Sequence, residues 1–363
     1  MQRRNFLKTA GAGIAASAAV AAPAIAQSAP EIRWRLTSSF PRSLDTIFGT
    51  CELFSKALAE ATDGKFRINV HAPNEIVGGL QAMDAVSNGT VEIAHTCSYY
   101  YVGKDPAFAL GTAVPFGPNS RQMNAWLYAG GGNQLLNEFY APLNFVAFPC
   151  GNTGAQMGGW FRKEINTVAD LQGLKMRIAG LAGQVMAKLG VVPQQLAGPE
   201  VYPALERGVL DAAEWVGPYD DLKLGFAKVA KYYYYPGWWE FGPTLHLYVN
   251  KTKFEELPAS YKKALELAAD MANTVMLAKY DAENPKALRE LVAQGAVLKP
   301  YSREILEAGY KAWQEVAADI SAKNPAFKKL YDSQTGFRNE ETLWFRVAEL
   351  PLDAFMAQMQ SRG

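Results

Sequence analysis

The sequence predicts an α/β fold in which the chain builds two lobes. Residues 31–97 alternate between strand and helix patterns, a second group of strands follows a glycine-rich segment at 151–154, and the last third is mostly helical. Two strands, 143–149 and 245–250, are expected to cross between the lobes as hinge strands. The predicted domains are lobe I over 27–150, completed by parts of 250–300, lobe II over 151–249, and a helical C-terminal region over 250–363.

Lobe I is predicted from two periodicities. Apolar residues recur every three and four positions from Leu44 to Leu58 and end at Asp63-Gly64, which indicates a long amphipathic helix. A second helix is expected at 79–88. Alternating patterns predict strands at 31–37, 66–71, 91–97 and 143–149. Ligands of α/β sheets bind beyond the carboxyl ends of strands, where the turn at 39–40 and the tyrosine run at 99–101 fall.

Lobe II is predicted to follow the crossing segment. Its expected strands are 156–161, 174–178, 192–196 and 212–216. The chain then leaves one lobe, builds a second and returns. This is the plan of a hinged protein whose ligand lies in the cleft between the lobes and is trapped by closure.

Arg177 is the first candidate for a ligand contact. Apolar and basic residues alternate over 174–178, so Arg177 lies near the end of a strand, opposite the apolar side chains, and small residues follow at 179–183. A guanidinium fixed there suits a carboxylate, because its planar fork makes two parallel charge-assisted hydrogen bonds. The alternative interpretation is a solvated surface arginine.

The N-terminus carries the features of an export signal. The pair Arg3-Arg4, an apolar run of small residues over 10–22 and a small-x-small site at 24–26 predict a twin-arginine signal peptide over 1–26. The mature chain would begin at Gln27. A membrane anchor is the alternative, but it would need about 20 apolar residues.

Composition and motifs argue against several function classes. The formal net charge is +1 with no basic run, so nucleic acid is not an expected partner. The cysteines Cys51, Cys97 and Cys150 lack paired spacing and are expected to be small buried hydrophobes. His95 and Cys97 share a strand face, but the sequence shows no third group to orient them. We predict no enzymatic activity; a twin-arginine-exported enzyme is the alternative from another class.

Two segments carry a resemblance to a known family. Residues 165–177 and 202–215 resemble the signature segments of solute-binding proteins of tripartite ATP-independent periplasmic (TRAP) transporters. Further segments, 151–154, 156–161, 214–221 and 232–240, are similar to members that bind alpha-keto acids. The resemblance implies a two-lobed periplasmic binding protein-like fold, a periplasmic location, a small carboxylate ligand, and TRAP membrane subunits as partners.

The pairing of Arg177 with Glu214 needs an explanation. If Arg177 holds an anionic ligand, a buried carboxylate at Glu214 would repel that ligand. Either Glu214 is protonated, or it pairs with a cation that also touches the ligand. An alpha-keto acid offers such a cation its keto oxygen and one carboxylate oxygen. Glu214, the Gln156 amide oxygen and a backbone carbonyl would add the oxygens that a hard cation prefers.

The resemblance implies the same arrangement with a bound sodium ion, for which calcium is the alternative. The implied metal ligands are Gln156, Glu214 and the main-chain oxygen of Trp215, and the implied substrate contacts are Gln156, Arg177, Trp215 and Glu240. For Glu240 the alternative is a solvated turn residue. The expected ligand is an alpha-keto acid such as pyruvate, and a 2-hydroxy acid or another monocarboxylate is the alternative.

The helix predicted at 302–323 has apolar residues at heptad spacing. These residues are Leu306, Tyr310, Trp313, Ala317 and Ile320. The helix either packs on its own lobe or faces a partner. The resemblance implies relatives that can dimerise by exchanging a C-terminal helix, so a homodimer formed through a C-terminal helix is a further expectation.

Overall fold

The computed structural model describes residues 30–361, and the predicted signal peptide over 1–26 lies outside the described residues. The strands are β1 Ile32–Ser38, β2 Phe66–His71, β3 Ile93–Thr96, β4 Phe145–Asn152, β5 Gly159–Phe161, β6 Lys175–Arg177, β7 Val192–Gln194, β8 Ala212–Ala213, β9 Tyr232–Tyr235, β10 Thr244–Asn250 and β11 Val297–Pro300. The helices are α1 Gly49–Ala61, α2 Ala82–Ser87, α3 Ser120–Tyr128, α4 Gly132–Tyr140, α5 Ala182–Lys188, α6 Gly198–Glu206, α7 Pro218–Leu224, α8 Lys251–Glu255, α9 Ala259–Ala293, α10 Arg303–Lys323, α11 Pro325–Ala348 and α12 Leu350–Gln360.

The first sheet has five strands in the order β2-β1-β3-β10-β4. Strand β1 runs parallel to β2 and β3, whereas β10 is antiparallel to β3 and β4. Helix α1 presents its buried face, Cys51, Phe54 and Leu58, to the interior. The predicted strand–helix alternation of lobe I is therefore present, and the two crossing strands, β4 and β10, both belong to this sheet.

The second sheet has six strands in the order β11-β9-β5-β8-β6-β7. Strands β6 and β8 are parallel, and β5 is antiparallel to β8 and β9. The chain enters this sheet from β4 and leaves it for β10. Strand β11 comes from the segment after α9, so the C-terminal third of the chain also contributes to the second sheet.

Long helices connect the two sheets. Helix α9 has 35 residues and packs against β4 and α1 of the first lobe and against α7, which follows β8 of the second. Helix α10 packs on α5, and α11 packs on α3 and α4. Within residues 30–361, no helix combines the length and the apolar character needed to cross a membrane.

The predicted heptad seam of α10 faces the chain's own interior. Trp313 is 3% exposed and meets the ring of Tyr331 edge-on at 5.8 Å, whereas Tyr310 is 48% exposed. The buried side of the helix consists of Ile305, Gly309, Ala312, Trp313, Val316 and Ala317. Of the two interpretations, packing on the helix's own lobe describes this structure. The three cysteines are free and buried, as predicted.

Candidate functional site

Strand register brings Arg177 and Glu214 together. Strands β6 and β8 are parallel and pair Arg177 with Ala213, so their carboxyl ends meet at one edge of the sheet, and Glu214 is the next residue. Strand β5 lies on the other side of β8. A Cβ atom on Gly159, whose φ is +95°, would lie 2.8 Å from the Ala213 carbonyl oxygen and 3.2 Å from the Glu214 Cα. The close packing around Glu214 therefore requires glycine at this position.

Arg177 is held on one side by its neighbours. Its Nη1 donates to the main-chain oxygen of Glu214 at 2.9 Å and to the carboxylate Oε1 of the same residue, and its Nε donates to Leu196 O at 3.3 Å. The guanidinium carbon lies 4.9 Å from the centre of the Trp215 ring, and the Ala179 N–H donates to Glu214 Oε1 at 3.1 Å. Among the described residues, Nη2 makes no hydrogen bond, so Nη2 is the donor available to a ligand.

Burial and charge set the protonation of these groups. Burial alone would lower the pKa of Arg177, but the charge of Glu214 raises that pKa above its ordinary value, so the guanidinium stays charged. Burial raises the pKa of Glu214, and the Arg177 charge opposes that rise. Burial, followed by repulsion from Glu214, raises the pKa of Glu240 well above its usual range. The site thus holds one firmly charged cation and two carboxyl groups.

Several polar atoms of the site are buried without a partner. Within residues 30–361 no hydrogen-bond partner meets Gln156 Oε1, Glu214 Oε2, Glu240 Oε1 or the indole Nε1 of Trp215. The Gln156 amide nitrogen donates to Thr153 Oγ1 at 3.1 Å, which fixes the amide and leaves its oxygen unpaired. Buried polar atoms are nearly always satisfied in folded proteins, so such a cluster indicates a ligand site.

The predicted residues lie around one cleft. Phe40 and Tyr100 from the first lobe and Gln156 and Trp215 from the second line a small cavity of about 10 Å³. The Gln156 N–H donates to the main-chain oxygen of Glu240 at 3.1 Å, and the carboxylate of Glu240 accepts from the hydroxyl of Tyr99 at 3.3 Å. The structure therefore brings Gln156, Arg177, Glu214, Trp215 and Glu240 together.

Three supporting groups complete the site, and the sequence pointed to one of them only as part of the tyrosine run at 99–101. The Thr153 hydroxyl fixes Gln156, the Ala179 N–H holds Glu214, and the Tyr99 hydroxyl contacts Glu240. The sequence placed Tyr99 in a tyrosine run at a strand end but did not predict its contact with Glu240, and no pattern pointed to Thr153. The contact of Ala179 is made by the backbone, which no side-chain pattern reveals.

The unpaired acceptors suit a hard cation. Between residues 30 and 361 there is no group of three or more histidine, cysteine, aspartate or glutamate residues arranged to hold a metal. The oxygens in the cleft come instead from carboxylates, an amide and the main chain. Oxygen donors of this kind match sodium and calcium rather than softer transition metals.

Comparison with known proteins identifies the family. The model of the bacterial extracellular solute-binding protein family 7, DctP, matches residues 37–324, and the chain belongs to this family. A monocarboxylate 2-oxoacid-binding periplasmic protein of Nostoc sp. strain PCC 7120 is 49% identical over 365 residues, which cover 99% of this chain and 100% of that protein.

Solved structures agree with this assignment. A TRAP transporter solute-binding protein from Bordetella bronchiseptica RB50 is 50% identical with a TM-score of 0.90, covering 92% of this chain and 99% of that one. It is a mixed-occupancy dimer with copurified calcium and picolinate in one active site. A TRAP periplasmic solute-binding protein from Pseudoalteromonas atlantica T6c holds sodium and pyruvate; it is 38% identical with a TM-score of 0.86, covering 90% of this chain and 99% of that one.

The chain is thus a solute-binding protein of the TRAP transporter type. The family resemblance, the two-lobed α/β fold and the periplasmic location predicted from sequence are confirmed. The relatives are transport proteins, which is consistent with a binding rather than a catalytic cleft.

Proposed function

We propose that this TRAP solute-binding protein captures a small 2-oxoacid such as pyruvate together with a bridging cation and delivers it to the membrane subunits. The observation that carries the proposal is the pair of unpartnered buried oxygens, Gln156 Oε1 and Glu214 Oε2, beside the buried guanidinium of Arg177. Arg177 binds the ligand carboxylate through Nη2. Gln156, Trp215 and Glu240 make the remaining substrate contacts.

Charge balance explains why a cation is needed. Arg177 and Glu214 form an ion pair with side chains 1% and 0% exposed, and that pair is neutral as a unit. A carboxylate ligand would add an uncompensated negative charge in a buried place, which is costly. Glu214, Gln156 and the main-chain oxygen of Trp215 would hold such a cation, which would supply the missing positive charge and bind the keto oxygen of the ligand. Sodium is the expected ion and calcium the alternative, since relatives hold each of them.

We also propose that the cleft performs no chemistry. His95 Nε2 bonds to the carbonyl oxygen of Cys150 at 3.0 Å, and burial lowers the pKa of His95 to about 4. Burial raises the pKa of the Cys97 thiol well above its ordinary value. Neither group is prepared to act as a base or nucleophile near neutral pH. Ligand recovered chemically unchanged after denaturation supports binding, whereas turnover supports an enzyme.

The experiment is a calorimetric titration of pyruvate, lactate and propionate into protein stripped of metal ions, repeated with sodium or calcium restored. The cation should increase the affinity for pyruvate roughly 5- to 150-fold, which corresponds to a coupling free energy of about 1–3 kcal/mol. The affinity for propionate should increase by less, because propionate lacks the keto oxygen. Lactate binding as tightly as pyruvate would assign the 2-hydroxy acids instead.

Glu214→Gln keeps the shape of the side chain and removes the charge that holds the ion. The variant should bind pyruvate more weakly, and the ratio of its affinities for pyruvate and propionate should fall. Glu164→Gln, which changes a partly exposed glutamate of the same lobe, should change neither the affinity nor the ratio. Equal pyruvate affinity with and without every cation would reject the bridge and leave a protonated Glu214 as the explanation.

We further propose a homodimer formed through the C-terminal helices. The end of α11 and the whole of α12 expose a row of large apolar side chains, 45–76% accessible, which are Leu343, Trp344, Val347, Leu350, Leu352, Phe355, Met356 and Met359. Continuous apolar surface of this kind marks an interaction site. A second copy is the occupant favoured by the Bordetella bronchiseptica relative, which is a dimer.

A further inference from the structure

We propose that Asp45 is a positioning residue that clasps the two lobes over the ligand and thereby sets how long the ligand stays bound. Asp45 lies in the loop between β1 and α1 and does not line the cavity. Its hydrogen bonds within residues 30–361 go to Tyr219, Lys223 and Lys279 and to none of the residues assigned to ligand or cation. This proposal depends on the proposed function in one respect, which is the use of pyruvate as the probe ligand.

One carboxylate gathers three donors. The Tyr219 hydroxyl donates to Asp45 Oδ2 at 3.2 Å, and the Lys279 ammonium donates to Oδ2 at 3.0 Å and to the Asp45 main-chain oxygen at 2.8 Å. Lys223 donates to the other oxygen, Oδ1, and its ammonium lies 3.8 Å from the centre of the Tyr219 ring. We call Asp45, Tyr219, Lys223 and Lys279 the Asp45 cluster.

The Asp45 cluster joins the two lobes. Asp45 is anchored in the first lobe by neighbours such as Ile47, which is 1% exposed. Helix α7, which carries the tyrosine and one lysine of the cluster, is anchored in the second. Its Asp221 accepts hydrogen bonds from Trp160 of β5 at 3.0 Å and from Tyr233 of β9 at 2.6 Å. Opening the cleft must therefore separate Asp45 from α7.

The two segments joined by the cluster are also the two walls of the cavity. The loop that holds Asp45 supplies Phe40 and Ile47 to that wall, and the chain just before α7 supplies Trp215. Glu214 precedes Trp215 in the same segment. Losing the Asp45 carboxylate would let the walls part without altering any ligand contact, so it should speed release and leave capture unchanged.

The size of the effect follows from exposure. The side chains of Asp45, Lys223 and Lys279 are 52%, 26% and 36% exposed, so each contact alone is weak. Three contacts converge on one carboxylate, and losing them together should raise the dissociation rate constant about three- to tenfold. Because the cluster is open to solvent, the difference should shrink as salt is added.

The test is stopped-flow tryptophan fluorescence with pyruvate and saturating sodium or calcium. We compare wild type, Asp45→Asn, Lys223→Met and the double variant. The matched control is Glu164→Gln, which breaks a 2.7 Å ion pair with Lys299 inside the second lobe.

We expect faster release for Asp45→Asn, an unchanged association rate constant and an unchanged melting temperature. Lys223→Met should have a smaller effect and should add nothing to Asp45→Asn, because both remove the same contact. Asp45→Glu should restore slow release in part. A release rate for Asp45→Asn equal to that of Glu164→Gln would overturn the proposal, as would an effect seen only in the melting temperature.

A second measurement needs no ligand. Spin labels at Glu60→Cys in the first lobe and Lys163→Cys in the second report the distance between lobes, and the native cysteines are buried and remain unlabelled. Asp45→Asn should shift the distance distribution to longer values than in wild type. If that shift appears while wild type binds no pyruvate, the proposed function is wrong and the proposed role of Asp45 in holding the lobes together is supported. If wild type binds pyruvate and Asp45→Asn changes neither the distance nor the release rate, the role of Asp45 is rejected and the proposed function is kept.

Discussion

Replacing Arg177 with lysine keeps a positive charge in the cleft and removes the planar group that the structure uses in three directions. Nε and Nη1 serve Leu196 and Glu214, and Nη2 is left for the ligand. A single lysine ammonium cannot contact the main-chain oxygen of Glu214, its carboxylate Oε1 and the ligand at the same time. Losing a charge-assisted contact to a buried carboxylate costs about 2–5 kcal/mol, which is roughly 30- to 5000-fold in Kd.

The variant should fold but lose stability, because Arg177 is 1% exposed and its bonds to Glu214 disappear as well. We expect the free energy of unfolding to fall by about 1–3 kcal/mol. Calorimetry with pyruvate at saturating cation, after circular dichroism has verified the fold, gives the affinity. Arg207→Lys, an exposed arginine of the same lobe, is the control. A pyruvate affinity within about threefold of wild type, less than 1 kcal/mol, would remove Arg177 from the site.

Two further predictions concern assembly and pH. Val347→Asp combined with Phe355→Asp should convert a dimer to monomers in sedimentation while the circular dichroism of the folded protein stays unchanged. Trp313→Asp should instead destabilise the fold itself, because Trp313 is buried. A dimer that survives the paired change would place the interface elsewhere. Burial raises the pKa of Asp220 from 3.8 to about 7, so the folded state keeps a proton that the unfolded chain releases. The contribution of Asp220 to the free energy of unfolding should therefore fall as pH rises from about 4 to 7. In urea denaturation, the free energy of unfolding of Asp220→Asn relative to wild type should increase between about pH 4 and pH 7, and a difference that does not change with pH would contradict the reasoning.

Periodicity predicted most of the first lobe, because its strands and α1 each bury one regular face. The strands of the second lobe are shorter than predicted. The expected strand 212–216 pairs only over Ala212–Ala213, and the expected strand 156–161 only over Gly159–Phe161. In both cases the residues left outside the ladder include those that line the cleft, Gln156 and Trp215. Alternating side chains do not show where a strand stops pairing in order to supply a site.

Two helices over 120–140 and strand β11 were not predicted. A local signal existed for the first helix, since Asn119 and Gln122 form a capping box. Strand β11 has four residues and forms because it lies beside β9, which is a tertiary effect. The heptad seam predicted for α10 matches the buried side of the helix only in part. An ordinary helix repeats every 3.6 residues rather than every 3.5, and Tyr310 therefore lies away from the buried side.

The candidate site was easier to predict than its surroundings. Arg177 ends β6 and Glu214 directly follows β8, and the sequence placed both residues at strand ends that meet at one edge of the sheet. The sequence does not show that Nη1 of Arg177 is occupied by hydrogen bonds to Glu214, because such bonds depend on distances of a few tenths of an ångström. The role that we assign to Asp45 depends on the approach of two segments that are 174 residues apart in the sequence.

The two proposals assign the choice of ligand and its retention to opposite ends of the segment from β8 to α7. Its beginning carries Glu214 and Trp215, which meet the ligand and cation in the proposed site, and its end carries Tyr219 and Lys223 of the Asp45 cluster. Apparent affinity is the intrinsic affinity scaled by the fraction of closed protein. A change in that fraction acts alike on every ligand that needs closure, so Asp45→Asn should weaken pyruvate and propionate by the same factor. Glu214→Gln should change the ratio of the two affinities instead. The same titrations measure both effects, and an altered ratio in Asp45→Asn would show that closure itself discriminates between ligands.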